Sequence, residues 1–371
     1  MKWGSLSRHL GIAVVAVFVV AACGNSPSSG TGSCSESTAK TAASASACGG
    51  MDALIAQAKA EGTLNVIALP PDWANYGEII SSFKAKYGIN VVSANPNGSS
   101  QEEIDAFDGT NRAPDVVDVT QAVALKNTAV FTPYKVATWN DIPTGAKDPG
   151  GLWFNDYGGY MSIGYDGSKV PTITSIQDLL GPAFKSKVAL SGNPTISGQG
   201  LNGVIMAAVA NGGTLDDISK GVDFFHRLNQ AGNYVNVIAT DATVKQGQTP
   251  VIFQWDYLTT GHGKDIPQWK VFVPSNAIIG GYYIQAINKD APHPAAARLW
   301  EEYLFSDAGQ NLWLKGGARP VRQSAMTAAG TVDKTAAAAL PAVSGTPLVP
   351  TGDQSTAAFA YLNAHWAQAI S

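Results

Sequence analysis

The sequence predicts an α/β fold in two lobes with a cleft between them. Strand-like and helix-like segments alternate from Met51 onward, a second alternating unit begins near Tyr160, and a late strand, GGYYIQAIN (280–288), leads back toward the first unit. Alternation of this kind builds parallel or mixed sheets with helices on their faces.

In the first unit, MDALIAQAKAEG reads as a short helix stopped by Gly62, and TLNVIAL (63–69) as a strand ended by Pro70 and Pro71. Ile79, Ile80, Phe83 and Tyr87 then recur at helical spacing before Gly88, and INVVSA (89–94) follows as a second strand. A polar, helical stretch precedes the strand PDVVDV (114–119). The second unit contains the apolar run KVALS (187–191), helices over 200–210 and 214–231, and strands at 235–238 and 251–255. A strong helix begins at Pro292, and no internal repeat is visible. The expected organisation is lobe 1 over 51–159, lobe 2 over 160–279, and a return to lobe 1 with C-terminal helices over 280–371.

Apolar residues make up 45% of the 371, enough for a sizeable core, while charged residues are only 14%, low against the ~25% of average soluble proteins. The chain has 24 basic and 28 acidic residues, and without Lys2 and Arg8 the balance is 22 to 28, a charge of −6. No Lys/Arg run occurs, so nucleic acid is not expected as a partner. His226, His262, His293 and His365 are scattered without metal-ligand spacing, and no GxSxG elbow is present. The expectation is a protein without catalytic residues, metal or cofactor, the alternative being a secreted hydrolase.

Lys2 and Arg8 precede an uncharged apolar run from Leu10 to Ala22, which ends in Val20-Ala21-Ala22-Cys23-Gly24. A basic start, an apolar middle and small residues before a cut describe an export signal. The run falls short of the ~20 residues that span a bilayer. It resembles the lipobox of bacterial signal peptidase II substrates. That resemblance implies a signal peptide over 1–22 and acyl chains on Cys23, anchoring the mature chain to the cell membrane outside the cytoplasm. Residues 23–50 are almost entirely Ser, Gly, Ala and Thr after the cysteine and read as a flexible tether. Cys34 and Cys48 are candidates for a disulfide in a compartment where disulfides persist, with little expected effect on the folded body.

Four segments carry a further resemblance. KDAPHPAAARLWEEYLFSDAGQNLW (289–313) is the most specific, with AEGTLNVIAL, PDVVDVTQA and SIQDLLGPAFKSKVALS (175–191) agreeing in order and spacing. Over roughly residues 51–325 the chain resembles the extracellular solute-binding proteins of bacterial ABC importers, in the group with polyamine-, ferric-iron- and phosphonate-binding members. The resemblance implies a periplasmic-binding-protein-like (Venus flytrap, type II) fold with a hinged cleft. It also implies a monomer that traps one small-molecule solute and delivers it to an ABC permease with its ATPase. A sensor or scaffold of the same fold is the alternative.

The loop after the first strand, Asp72-Trp73-Ala74-Asn75-Tyr76, lies at the C-terminal edge of a parallel sheet, where α/β ligands bind. Trp73 and Tyr76 resemble the Trp-x-x-Tyr pair with which polyamine binders flank their ligand, and an aromatic face attracts a cation by roughly 0.5–2 kcal/mol. Trp255-Asp256-Tyr257 closes a strand of lobe 2 and suits an amine through a charge-assisted bond with ring contacts. Gly198, Gly200 and Gly203 spell GxGxxG, but the strand and acidic residue of a dinucleotide fingerprint are missing. Ser197, Gly198 and Gln199 instead offer a helix start to a carboxylate or phosphonate, or a plain serine cap. Tyr282 and Tyr283 resemble the paired tyrosinates of ferric-binding relatives, yet neighbours in a strand point to opposite faces. Where polyamine binders carry Trp-x-Asp, Gly281-Tyr282-Tyr283 lacks the acid, which argues against a long polyamine. The candidate ligand set is Trp73, Asn75, Tyr76, Gln121, Tyr157, Ser197, Gly198, Gln199, Trp255, Asp256, Tyr257 and Tyr282. The expected solute is cationic or zwitterionic, such as a polyamine or aminophosphonate, with ferric iron or a sugar as alternatives.

Overall fold

The computed structural model describes Met1, residues 33–96 and residues 98–371. The export signal and Cys23 lie outside the described residues.

Among the described residues, ten strands, β1 (Thr63–Ile67), β2 (Asn90–Ala94), β3 (Val116–Thr120), β4 (Phe131–Thr132), β5 (Phe154–Asp166), β6 (Val188–Leu190), β7 (Val251–Trp255), β8 (Trp269–Phe272), β9 (Gly280–Asn288) and β10 (Arg319–Pro320), form two sheets flanked by helices, the α/β architecture that the sequence predicts. β1 and β2 pair in parallel from Thr63–Asn90 to Ile67–Ala94, joined by the helix Tyr76–Tyr87. That helix ends at Gly88 (φ 72°) and the preceding one, Met51–Glu61, at Gly62 (φ 70°). Both are left-handed caps that a side chain would oppose. The larger sheet runs β3-β9-β5-β7-β6, with β4, β8 and β10 alongside.

One strand connects the lobes. The first half of β5 pairs with β9 and β10, and its second half, from Met161, pairs with β7 and β8. At the crossing, Gly159 faces Gly281, next to a register shift between Asn155 and Gly158. A Cβ at Gly159 would run into the Asp256 carboxylate and the Tyr257 ring, and one at Gly281 would sit 2.5 Å from the Trp255 indole. Glycine is there because the lobe 2 side chains of Trp255, Asp256 and Tyr257 pack directly against the backbone at both positions and leave no room for a Cβ.

The Ala-Pro-His-Pro segment ties lobe 1 together. Asp115, fully buried, accepts from the amides of Asn65 and His293 (both 2.6 Å) and bonds the His293 ring (2.9 Å). The following helix, Pro294–Leu304, is buried along its whole length.

Four expectations change. The tether, where described, is folded: Glu36–Thr41 is a helix, Ser46–Cys48 a short 3₁₀ turn, and Cys34 and Cys48 form a disulfide. Buried Arg298 donates to the carbonyls of Ala42 (2.8 Å) and Lys40 (3.0 Å), while Ala39 and Cys48 are wholly buried. A buried guanidinium needs acceptors, and this segment supplies them, so a small-residue composition that cannot fold alone folds onto lobe 1. Residues 235–238 are not a strand, since only Tyr234 bridges Val188. The helix expected over 214–231 starts at Ser219, because Thr214 Oγ1 accepts from the Asp216 (3.3 Å) and Asp217 (3.1 Å) amides and holds a turn. The C-terminal helix Gly352–Ala369 also departs from a simple return to lobe 1. It seats Trp366 against Phe225 (5.3 Å) and Tyr234 (6.1 Å) of lobe 2. Among the described residues, no helix is long and apolar enough to cross a membrane.

Candidate functional site

The loop leaving β1 is held in a backbone that the chain does not adopt freely. Ala68 (φ 53°), Ala74 (φ 45°) and Asn75 (φ 69°) all lie in the left-handed region, which costs non-glycine residues energy and is retained where the surroundings enforce it. Asn75 Nδ2 donates to the Leu312 carbonyl at 2.9 Å and to Glu78 at 3.1 Å, pinning the loop to the helix Asp307–Lys315. The loop thereby presents Trp73 to a cavity of about 670 Å³ between the lobes, inside the ~300–1,000 Å³ range of small-molecule sites.

Two carboxylates line this cavity. Along β3, Val117 and Val119 enter an apolar cluster, and alternation sends Asp118 to the other face. Both Tyr76 OH (2.7 Å) and Tyr157 OH (3.0 Å) donate to Asp118 Oδ2, and Trp73 Nε1 donates to Tyr157 OH (2.6 Å). Behind them Gln285 Nε2 donates to Tyr76 OH (3.1 Å) and to Asp156 (2.9 Å). Asp118 Oδ1 is buried and has no partner. Glu103, on the helix Ser100–Asp105, accepts from the Asp118 amide at 3.1 Å. Burial pushes the Asp118 carboxyl up to about 7, opposed by hydrogen bonds from the Tyr76 and Tyr157 hydroxyls and with the buried Asp156 carboxyl beside it, which burial also raises. Burial first, then the neighbouring Asp118, pushes Glu103 well above the usual carboxylate range. Neither carboxylate takes part in a salt bridge among the described residues.

Aromatic rings flank the acids. Tyr283 stacks on Tyr157 (5.6 Å, 9°) and meets Trp73 edge-on at 5.7 Å, while Trp255 and Tyr282 line the cavity beside it. From lobe 2 comes the start of the helix Gly198–Ala210, where Ser197 Oγ caps the Gly200 amide (3.4 Å). A Cβ on Gly198 would lie 3.4 Å from the Thr120 methyl of lobe 1, so the lobes meet at this point. Gln199 Nε2 donates to the Ser191 carbonyl and Asn202 Nδ2 to the Gly198 carbonyl, both at 2.8 Å. Those bonds orient the amides and leave Gln199 Oε1 and Asn202 Oδ1 as buried acceptors without donors. The GxGxxG spacing has a packing role, since a Cβ at Gly200 would strike Gly192 and one at Gly203 would crowd Leu190 and Phe253.

Of the residues expected from sequence, Trp73, Gln121, Ser197, Gly198, Gln199, Trp255 and Tyr282 line the cavity. Asn75, Tyr76, Tyr157, Asp256 and Tyr257 do not: Asn75 anchors its loop, while Tyr76 and Tyr157 stand behind the wall as donors to Asp118. Asp256 requires a correction. It is wholly buried and paired with Arg319, and it accepts from the Tyr160 (2.9 Å) and Tyr257 (3.0 Å) amides, so no oxygen is left for an amine. Sequence reasoning missed Asp118, Glu103 and Asn202. A lone acid within the apolar run VVDVT at a strand's C-terminal end was a usable signal for Asp118, whereas Glu103 in SQEEID looks like any surface helix.

A sequence model described as bacterial extracellular solute-binding protein matches residues 114–342. No curated protein matches significantly. Among solved structures, the chain is similar to the PBP AgtB from A. tumefaciens R10 in complex with agropinic acid, at 13% identity and TM-score 0.64, covering 83% of this chain and 98% of that one. It is similar to iron-bound HitA from Pseudomonas aeruginosa at 17% identity and TM-score 0.60, covering 83% and 99%. It is also similar to the spermidine/putrescine ABC transporter substrate-binding protein PotD from Streptococcus pneumoniae, at 13% identity and TM-score 0.58, with 83% and 99% covered.

Proposed function

We propose that this chain, which belongs to the bacterial extracellular solute-binding proteins, is the solute-capturing component of an ABC importer for a small solute bearing a cationic nitrogen group. The family's description places its work outside the cytoplasm, and the lipobox-like Val20-Ala21-Ala22-Cys23 would hold it there by a lipid. Solute binding draws free energy from lobe closure, and the closed, loaded form is the one a permease with its ATPase would accept.

The observation that carries the reading is Asp118, a buried cavity-lining carboxylate with one oxygen unpartnered. A buried anion without a counterion is costly, and a solute cation removes that cost. Gln199 Oε1 and Asn202 Oδ1 add acceptors to the same cavity, matching a group rich in N–H donors. Trp73, Tyr282 and Tyr283 line it with aromatic rings, which attract a cation. An anionic group on the same solute would meet the helix start at Ser197 and Gly198. Ferric iron is less well served: Tyr282 has Tyr160 and Arg319 as charged or polar neighbours, whereas Tyr283 has Asp118 and Glu103, so the two hydroxyls do not share a neighbourhood.

A ligand at 100 times its Kd stabilises the native state by roughly 2.7 kcal/mol. A thermal-shift screen of amines, aminophosphonates, amino acids, sugars and ferric chelates is expected to give hits among the cationic compounds. A sugar or ferric hit alone would overturn the cationic assignment, and turnover of an ester or peptide panel would overturn the non-catalytic one. For the anchor, Cys23→Ser is expected to accumulate as an unacylated precursor that keeps its signal. An acylated, processed variant would refute lipidation at Cys23.

A further inference from the structure

We infer that residues 343–371 form a wall of the solute site and select for an apolar group on the solute. The inference rests on the cationic reading above and deepens it. These residues lie beyond the segment that the family model matches, so the wall is not part of the shared pattern.

The segment reaches the cavity in two steps. Leu348 joins Ile279, just before β9, as a single parallel bridge: its amide donates to the Ile278 carbonyl and its carbonyl accepts from the Gly280 amide, both at 2.8 Å. This lays Val349 and Pro350 against the cavity, close enough that a Cβ on Gly280 would sit 3.3 Å from Val349 Cγ2. The helix Gly352–Ala369 then turns across the mouth. Its start abuts lobe 1, where a Cβ on Gly352 would lie 3.2 Å from Leu125 Cδ1. Further along, it is fixed to lobe 2 by Asn363 Nδ2 on the Thr195 carbonyl (3.3 Å), by buried Leu362 and Trp366, and by the His226 ring on the Ala369 carbonyl (2.9 Å). Held in this way, it turns Phe359 into the cavity.

Of the four residues that the segment brings to the cavity, Val349, Pro350 and Phe359 have no side-chain hydrogen-bonding group and Ser355 adds one hydroxyl, while Asp118 and Glu103 line the same cavity as acids. A solute that satisfied only the acids would leave this apolar surface wet in a cavity of about 670 Å³. A solute with an apolar portion attached to its cationic group would remove both costs at once.

The test is calorimetric titration of butylamine, 4-phenylbutylamine and 4-phenylbutan-1-ol into the full chain and its variants. 4-Phenylbutylamine is expected to bind at least about tenfold tighter than butylamine. Phe359→Ala should abolish most of that preference and Phe359→Leu only part of it, with melting of the unliganded variants confirming that they fold. Asp118→Asn should weaken both amines alike. Equal affinities of the two amines, or a preference untouched by Phe359→Ala, would overturn the wall and leave the cationic reading standing. Binding of the alcohol but of neither amine, lost in Phe359→Ala, would uphold the wall and overturn the cationic reading. If none of the three binds, both fall.

Discussion

Asp256, at the end of β7, meets a guanidinium, whereas Asp118, on β3, meets two tyrosine hydroxyls and a second buried acid, Asp156. Arg319 is shared between Asp256 and the Pro341 carbonyl (2.9 Å) and lies 4.4 Å over the Tyr160 ring. Since Arg319 belongs to β10 on the lobe 1 half of β5 and Asp256 follows β7 in lobe 2, their bond spans the crossing. Asp118 has Tyr76 and Tyr157 on one oxygen and no donor on the other, with the buried Asp156 carboxyl beside it and no cation. Burial raises both carboxyls, but at Asp256 the arginine is the largest opposing influence and at Asp118 it is a tyrosine hydroxyl. A buried acid with its own cation is satisfied within the fold, and one without is available to a cation from outside.

Breaking the Asp256 pair gives the largest expected effect. Asp256→Ala strands a largely buried Arg319 and is expected to cost about 3–5 kcal/mol of stability, read by guanidinium denaturation. Replacing both residues, as Asp256→Leu with Arg319→Met, should recover most of that loss. A single-variant cost under about 1 kcal/mol, the range of exposed pairs, would show that this ion pair does not secure the crossing.

At Asp118 the expected effect moves from stability to affinity. Asp118→Asn should weaken the best cationic hit of the screen by roughly ten- to a hundredfold, or ~1.5–3 kcal/mol, in a calorimetric titration. Stability of the unliganded form at pH 8 should not fall, because the substitution removes an uncompensated buried charge. Unchanged affinity would erase the contrast between the two acids.

The two acids should also differ in pH response. Burial lifts the Asp118 carboxyl to about 7 in the folded chain, beside the buried Asp156 carboxyl, which is raised with it, against about 3.9 for an unfolded aspartate. Its protonated form is therefore favoured by folding, and the associated stability is complete below pH ~4 and lost as pH rises through about 7. Cation affinity should move the opposite way, rising with pH until Asp118 is ionised. A pH series of titrations with a permanently charged quaternary amine checks this, and a profile identical in Asp118→Asn would assign the response elsewhere.

The smallest effect belongs to Tyr157→Phe. It removes one donor from Asp118 and the acceptor of Trp73 Nε1, worth about 0.5–1.5 kcal/mol of net hydrogen bonding. Since that hydroxyl holds the Asp118 carboxyl down, its loss should shift the affinity–pH midpoint upward. An unshifted midpoint would remove Tyr157 from the Asp118 network.

Local pattern sufficed for the succession of strands and helices, for the stops at Gly62 and Gly88, and for Trp73, Trp255 and the Ser197–Gln199 helix start as cavity residues. Each of these depends on spacing or on a strand end, which neighbouring residues state. Contacts far apart in the chain decided the rest. Asp256 loses its place in the site to an arginine 63 residues away, and residues 36–48 fold because Arg298, more than 250 positions on, needs their carbonyls. Phe359 reaches the cavity because Trp366 is buried in lobe 2 and Leu348 bridges Ile279 at the start of β9. Which buried acid receives a counterion depends on what packs beside it, and that is set when the two lobes and the C-terminal segment close on one another.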